Sequence, residues 1–143
     1  MKFWDASAVI PLCIDECHSV STQEIIREDG YIVAWWGSSI ECFSAFARLR
    51  REGLLNDEEE DQMNHLLSVL SESWIEIMPG EEVRTQSKRL LRLHPLRAAD
   101  SLQLAAAIMW AGMSPKGQHF VCFDRKLRNA ARKEGFQLMP AEI

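Results

Sequence analysis

The feature that most constrains the fold is an alternation along the chain. Short runs rich in apolar, β-branched and aromatic residues alternate with longer stretches of helical periodicity. The short runs predict strands at residues 2–4, 31–36, 74–78, 119–123 and 136–139. Because strands separated by helices need crossover connections, we expect an α/β sandwich with a mainly parallel sheet of about five strands and helices on both faces. With 143 residues, the chain is of the size of one domain, and we expect a single domain over residues 1–143.

Helices are predicted between these strands from apolar spacing and from residues that begin or end helices. The predicted ranges are 7–12, 19–28, 38–52, 57–71, 81–93, 96–111 and 125–134. We expect Pro11 to interrupt the first of these helices and Pro95 to lie at the first turn of the sixth.

Acidic residues follow three of the predicted strands. Asp5 comes directly after the first strand, Glu41 lies in the helix turn after the second, and Asp124 comes directly after the fourth. Parallel sheets place their binding sites beyond the carboxyl ends of the strands. The sequence therefore predicts that these three carboxylates converge on one crevice.

A fourth acidic residue, Asp100, lies on the apolar face of an Ala/Leu-rich helix that it shares with Leu104 and Ala107. A carboxylate on such a face needs a partner. Two charges about 5 Å apart at an effective dielectric constant near 20 repel by roughly 3 kcal/mol, so four neighbouring carboxylates require cations or protons. Hard divalent ions relieve this repulsion most naturally.

Each acidic residue also has a purely structural interpretation. The run Ser38-Ser39-Ile40-Glu41 spells a capping box, in which Glu41 accepts from a backbone N–H. Asp5 and Asp124 are each placed to cap the helix that follows, and Asp100 is one turn from Arg97. These alternatives stay open at the level of sequence.

With these residues identified, the chain resembles the PIN-domain ribonucleases, most closely the VapC-type toxins of toxin–antitoxin pairs, over essentially its whole length. Four motifs carry the resemblance: FWDASA at 3–8, SSIE at 38–41, RAADSLQLA at 97–105 and FDRKL at 123–127. The third is the most specific. Two positions depart from the family pattern, since Ala6 stands where many relatives have Thr or Ser, and Gln103 where many have His.

The resemblance implies a three-layer α/β/α fold and a metal-dependent endoribonuclease that hydrolyses RNA phosphodiester bonds. It assigns metal binding and catalysis to four residues: Asp5, Glu41, Asp100 and Asp124. Ser7 matches a hydroxyl position that supports the site, and Mg²⁺ or Mn²⁺ is the implied cofactor. A homodimer and a small antitoxin protein that blocks the site are the implied partners.

The chain is acidic, with a net charge of −5, so it has no overall positive field for RNA. We therefore expect RNA phosphates to be held by metal ions and by nearby basic side chains, namely those of Arg97, Arg125 and Lys126. Arg48 and Arg51 are further candidates. The arginines at 48, 50 and 51 have an alternative interpretation, because positive charges near the C-terminal end of a helix interact favourably with the helix dipole. We expect at least one of the three to need no ligand.

The early apolar stretch, residues 3–14, is interrupted by Asp5 and suits neither a signal peptide nor a membrane span. We expect a cytoplasmic protein that does not bind membranes, with its four cysteines as free thiols. A zinc site at Cys13, Cys17 and His18 is disfavoured because no second pair of ligands stands nearby. The alternatives to an RNA nuclease are an interaction module that keeps the fold without catalysis, and a DNA-directed nuclease.

Overall fold

Five short strands form the centre of the structure, and all of them run in the same direction. The computed structural model describes residues 1–143. Its strands are β1 (Lys2–Trp4), β2 (Ile32–Trp35), β3 (Ile75–Ile77), β4 (His119–Val121) and β5 (Gln137–Met139). They are ordered β3-β2-β1-β4-β5, and every neighbouring pair is parallel. The prediction of a mainly parallel sheet of about five strands is confirmed.

Seven helices connect and cover these strands, one for each predicted helix. They are α1 (Ala6–Cys13), α2 (Ser19–Asp29), α3 (Ser38–Arg51), α4 (Asp57–Ser73), α5 (Glu81–Leu93), α6 (Ala98–Trp110) and α7 (Arg125–Glu134). No helix in the chain has the length and hydropathy needed to cross a membrane.

The two faces of the sheet are covered by different helices. In β1, Phe3 packs with residues of α5, α6 and α7, whereas its neighbour Trp4 packs with residues of α1 to α4. The same alternation separates Phe120 from Val121 in β4. Because successive side chains of a strand point to opposite faces, both faces of the sheet are buried. The three-layer α/β/α fold is thereby confirmed.

Two proline predictions are wrong. Helix α1 continues through Pro11, which is buried, and ends two residues later at Cys13. Only the hydrogen bond that the missing N–H would have donated is lost. Helix α6 begins at Ala98 rather than at Leu96, because Arg97 has the extended backbone of an N-cap residue and the Leu96 N–H instead donates to the His94 carbonyl.

The order of the strands determines where a site can form. From the central strand β1 the chain proceeds outward through β2 and β3, and then returns to the other side of β1 to form β4 and β5. This reversal next to β1 is the topological switch point at which α/β sheets leave a crevice beyond their carboxyl ends. Asp5 follows β1 at this edge, and Asp124 follows β4.

A buried arginine joins α7 to the end of the chain. Arg128 is 3% exposed, and its guanidinium donates to the carbonyls of Cys122 at 2.7 Å, Pro140 at 2.7 Å and Ala141 at 3.1 Å. A longer contact of 3.5 Å reaches the Met139 carbonyl. These bonds tie the residues after β4 and β5 to α7. All four cysteines are free, as predicted.

Replacing Arg128 by Met should lower the free energy of unfolding by about 2–4 kcal/mol, because the buried carbonyl of Cys122 and the partly buried carbonyl of Pro140 lose their donor. Urea denaturation followed by circular dichroism measures the loss. Arg27→Met, at an exposed position of α2, is the matched control and should change stability by less than about 0.5 kcal/mol. Equal losses in the two variants would contradict the role of the carbonyl contacts.

Candidate functional site

An open cavity at the carboxyl edge of the sheet contains all four predicted acidic residues. Its volume is about 440 Å³. The lining comprises Asp5, Ala6, Ser7, Ile10, Ile40, Glu41, Ser44, Ala45, Arg48, Asp100 and Asp124. The structure thus brings together side chains that follow β1 and β4 and side chains of α3 and α6, which are distant from one another in sequence.

Asp5 is buried and held by several donors. Its Oδ2 accepts from the backbone N–H of Ser7 at 3.0 Å, from the Ser7 hydroxyl at 2.5 Å and from the thiol of Cys122 at 3.6 Å. Ser7 Oγ in turn accepts from the backbone N–H of Phe123 at 3.0 Å. Asp5 is the N-cap residue of α1, so the capping interpretation is confirmed, and the same carboxylate also lines the cavity. The sequence alone did not identify Cys122 as a neighbour of Asp5. Its position in a predicted strand gives no sign of a contact with a residue 117 positions away.

The capping-box interpretation of Glu41 is wrong. Gly37 is the N-cap residue of α3, with no side-chain capping bond, and Ser38 is already helical and fully buried. Gln103 of α6 donates from Nε2 to Glu41 Oε2 at 2.6 Å and to Ser38 Oγ at 3.0 Å. A contact between helices, rather than a local cap, therefore holds Glu41. Gln103 is fully buried, although the sequence identified it only as a departure from the family pattern.

Asp100 and Asp124 lie at the beginnings of two helices. Asp100 is partly buried in the first turn of α6 and forms no ion pair with Arg97, so that alternative is not observed. Asp124 is exposed and caps α7 by accepting from the Leu127 N–H at 2.8 Å. Like Asp5, Asp124 both caps a helix and lines the cavity.

Burial and mutual repulsion disfavour the charged forms of these acids. Burial raises the pKa of Asp5, and the charge of Asp100 adds to the increase. Burial raises the pKa of Glu41 to about 7, with further contributions from Asp5 and Asp100. The pKa of Asp100 is raised by burial and by Asp124. The cavity therefore brings together acidic groups whose ionisation is opposed by burial and by one another. No three Asp, Glu, His or Cys side chains are grouped closely enough to coordinate an ion in the arrangement shown.

The predicted basic residues are distributed around this charge. Arg48 lines the cavity itself, two helical turns beyond Glu41 on the face that also carries Ser44, a spacing readable from the sequence. The charges of Arg97 and Lys126 act on Asp100 and lower its pKa. Arg125 lies outside the cavity.

Other basic residues and the cysteine cluster have no part in the cavity. Arg50 pairs with Glu60 at 2.5 Å, which confirms that one of the three arginines near the end of α3 needs no ligand. Arg51 does not line the cavity. The His18 ring stacks on Phe123, and no group of zinc ligands forms around it.

Glu41→Gln should make stability less dependent on pH. Because the folded state raises the pKa of Glu41 from its ordinary 4.5 to about 7, ionisation of this residue destabilises the fold as pH rises through that window. In EDTA, the variant should be more stable than wild type by about 1–2 kcal/mol at pH 8, after allowance for partial exposure, and nearly equal at pH 5. Urea denaturation at both pH values measures this difference, and a difference that is the same at both would contradict it.

Gln103→Leu should lower the free energy of unfolding by about 1–3 kcal/mol, because Glu41 and Ser38 lose a buried donor. The loss should be larger at pH 8 than at pH 5, since the amide stabilises the ionised form of Glu41. Gln62→Leu, on the exposed surface of α4, is the matched control. Equal losses at the two pH values would show that the Gln103 contact does not act through the carboxylate.

Comparison with known proteins gives a clear result for the fold. No family model matches the chain, and no curated protein matches it in sequence. Several solved structures are similar over nearly the whole chain. VapC20 of Mycobacterium tuberculosis, a toxin that cleaves the sarcin-ricin loop, is 12% identical with a TM-score of 0.67, and the match covers 91% of this chain and 95% of that one.

Two further similar structures have comparable scores. A toxin–antitoxin complex from Klebsiella pneumoniae is 11% identical with a TM-score of 0.64, covering 100% of this chain and 96% of that one. FitAcB from Neisseria gonorrhoeae is 12% identical with a TM-score of 0.65, covering 92% and 94%. The strand order, the layers and these similarities agree, and the chain has the PIN-domain fold.

Proposed function

We propose that this protein is a metal-dependent endoribonuclease that acts as the toxin of a toxin–antitoxin pair. The observation that carries the proposal is the cavity in which Asp5, Glu41, Asp100 and Asp124 converge from four separate segments of the chain. Independent helix capping does not explain this convergence, because Glu41 and Asp100 are not N-cap residues. The similar fold of VapC20, an RNA-cleaving toxin, supports the same class of substrate.

The four carboxylates suit a hard divalent cation, Mg²⁺ or Mn²⁺. Carboxylate oxygens are the donors that these ions prefer. Burial, and then repulsion from neighbouring acids, raises the pKa of Asp5, Glu41 and Asp100, and a bound cation would favour their ionised forms. Asp5, Glu41, Asp100 and Asp124 would hold the ion, and binding would draw them closer together than they lie in this structure. Such an ion, when bound, lowers the pKa of a water molecule and stabilises charge that develops on the attacked phosphate.

Neighbouring side chains would keep the carboxylates in place. The Ser7 hydroxyl orients Asp5 and connects it to the backbone at Phe123, and Gln103 orients Glu41. Fixed orientation matters because ligands that are already in place lose little freedom when the ion binds. Ser7 and Gln103 are therefore proposed as positioning residues.

The substrate is a polyanion, and the protein has a net charge of −5. Arg48 within the cavity, and Arg97, Arg125 and Lys126 around it, would bind phosphates on either side of the cleaved bond. Their positive charge is local, so binding should depend on salt at these few contacts.

We further propose the partners and cellular setting that accompany this activity. An antitoxin protein would cover the cavity, by analogy with the toxin–antitoxin complex of similar fold. The active form would be a homodimer of single-domain chains in the cytoplasm, where four free thiols remain reduced.

Asp5→Asn and Asp100→Asn should each reduce cleavage of a mixed RNA pool by about 100-fold or more, because each removes a charged ligand. The purified protein is incubated with Mg²⁺, with Mn²⁺ and with EDTA, and fragments are resolved by gel electrophoresis. Asn also caps helices, so Asp5→Asn should remain folded. Asp61→Asn, on the exposed surface of α4, is the matched control and should cleave like wild type.

Two results would contradict the proposal in different ways. Cleavage of single-stranded DNA in preference to RNA would assign a DNA-directed nuclease. Absence of any cleavage of RNA or DNA by folded protein supplied with metal ions would instead support an interaction module.

A further inference from the structure

A second groove lies on α7, beside the active-site cavity. Its volume is about 330 Å³, and α7 contributes Arg125, Arg128, Asn129 and Arg132 to the lining. Residues 141–143 form the other wall. Asp124, which lines the cavity, is followed directly by Arg125. The groove is therefore next to the active site along the helix.

The three arginines of the groove have no acidic partner. Elsewhere in the protein, Arg50, Arg84 and Arg89 form ion pairs, whereas other exposed arginines such as Arg27 do not. What distinguishes the groove is that its unpaired arginines lie together and that one of them is buried. No carboxylate lies within 4.0 Å of Arg125, Arg128 or Arg132, although Glu142 contributes to the lining. Three guanidinium groups thus share one groove with Glu142, and none of them forms an ion pair with it.

The lack of an acidic partner matters most at Arg128. Its side chain is buried, and its hydrogen bonds go to carbonyl oxygens, which satisfy its donors without neutralising its charge. Arg132 is near enough that its like charge contributes, after burial, to lowering the pKa of Arg128. Buried charges in proteins are normally paired. Two guanidinium groups that repel each other beside an open groove indicate a site for an anion.

The groups available in the groove match a phosphate. Asn129 Oδ1 accepts from Arg132 Nη1 at 3.4 Å, and this contact leaves the amide N–H groups of Asn129 without a partner. The exposed guanidinium of Arg132 and this amide both donate. Planar guanidinium groups bind phosphate oxygens well because two N–H groups match two oxygens.

We propose that this groove binds a backbone phosphate of the RNA strand whose cleaved bond lies in the cavity. The inference rests on the proposed nuclease function and extends it, because it adds Arg132 and Asn129 as a binding site separate from the acidic residues. Arg125 and Arg132 are seven residues apart, which is roughly 10 Å along the helix axis. A strand that follows α7 therefore reaches Arg132 only if it extends beyond the cavity.

The test measures RNA binding without cleavage. Labelled single-stranded RNAs, from a dinucleotide to a twelve-nucleotide strand, are titrated by fluorescence anisotropy with the Asp5→Asn protein in EDTA. Arg132→Ala and Asn129→Ala are added in that background. Arg27→Ala, which removes the same charge from the exposed surface of α2, is the matched control.

Arg132→Ala should weaken binding of the long strand about 5- to 10-fold and reduce the slope of log Kd against log salt by about 1, leaving the dinucleotide unaffected. Asn129→Ala should weaken it less, and Arg27→Ala should have no effect. Equal weakening by Arg132→Ala and Arg27→Ala would overturn the proposal, as would unchanged binding of the long strand by Arg132→Ala. Arg132-dependent binding of a polyglutamate peptide in place of RNA would also overturn it.

Failure of the nuclease function gives a different result. If the wild-type protein cleaves no RNA while Arg132→Ala still weakens binding of the long strand, the groove site stands without the proposed catalysis. If wild type cleaves RNA and Arg132→Ala binds normally, the groove proposal fails and the nuclease proposal stands.

Discussion

Repulsion among the carboxylates at one edge of the sheet is the interaction that the surrounding hydrogen bonds must offset. Glu41 has a pKa of about 7 because burial and two neighbouring acids oppose its ionisation. Such a cluster lowers stability unless other contacts hold it in place. Specific hydrogen bonds do so here: Ser7 and Cys122 donate to Asp5, and Gln103 donates to Glu41. The clustered acids thus lower stability locally, a compromise typical of functional sites.

The fold could be predicted because its pattern is repetitive and local. Apolar runs separated by helical stretches determine a parallel sheet whatever the details of packing, and the bounds of α5 and α7 agree with the prediction to the residue. Both helices are amphipathic and are bounded by residues that begin or end helices. Gly135, for example, ends α7 with a φ of 111°, a left-handed conformation that favours glycine. Caps and periodicity act over one or two turns, which is the range that sequence spacing describes.

Contacts between distant segments could not be predicted in the same way. The sequence SSIE reads as a local cap, yet Ser38 turns its hydroxyl to Gln103, which is 65 residues away. The Cys122 thiol beside Asp5 and the basic groove of α7 likewise depend on how segments pack. The convergence of Asp5, Glu41 and Asp124 was predictable from topology, and Asp100 was identified from its apolar helix face and the family motif. The hydrogen-bond partners of these acids depend on side-chain geometry.

The alternation within β1 has a consequence for how mutations reach the cavity. Phe3 and Trp4 are completely buried on opposite faces of the sheet, and Asp5 follows immediately. Sliding this strand by one residue would exchange two bulky aromatic rings between differently shaped cores and withdraw Asp5 from its neighbours. Both helical layers therefore fix the register of β1, one through Phe3 and the other through Trp4. A substitution that repacks one layer alone therefore leaves the other aromatic ring to hold the strand, and with it Asp5, in register.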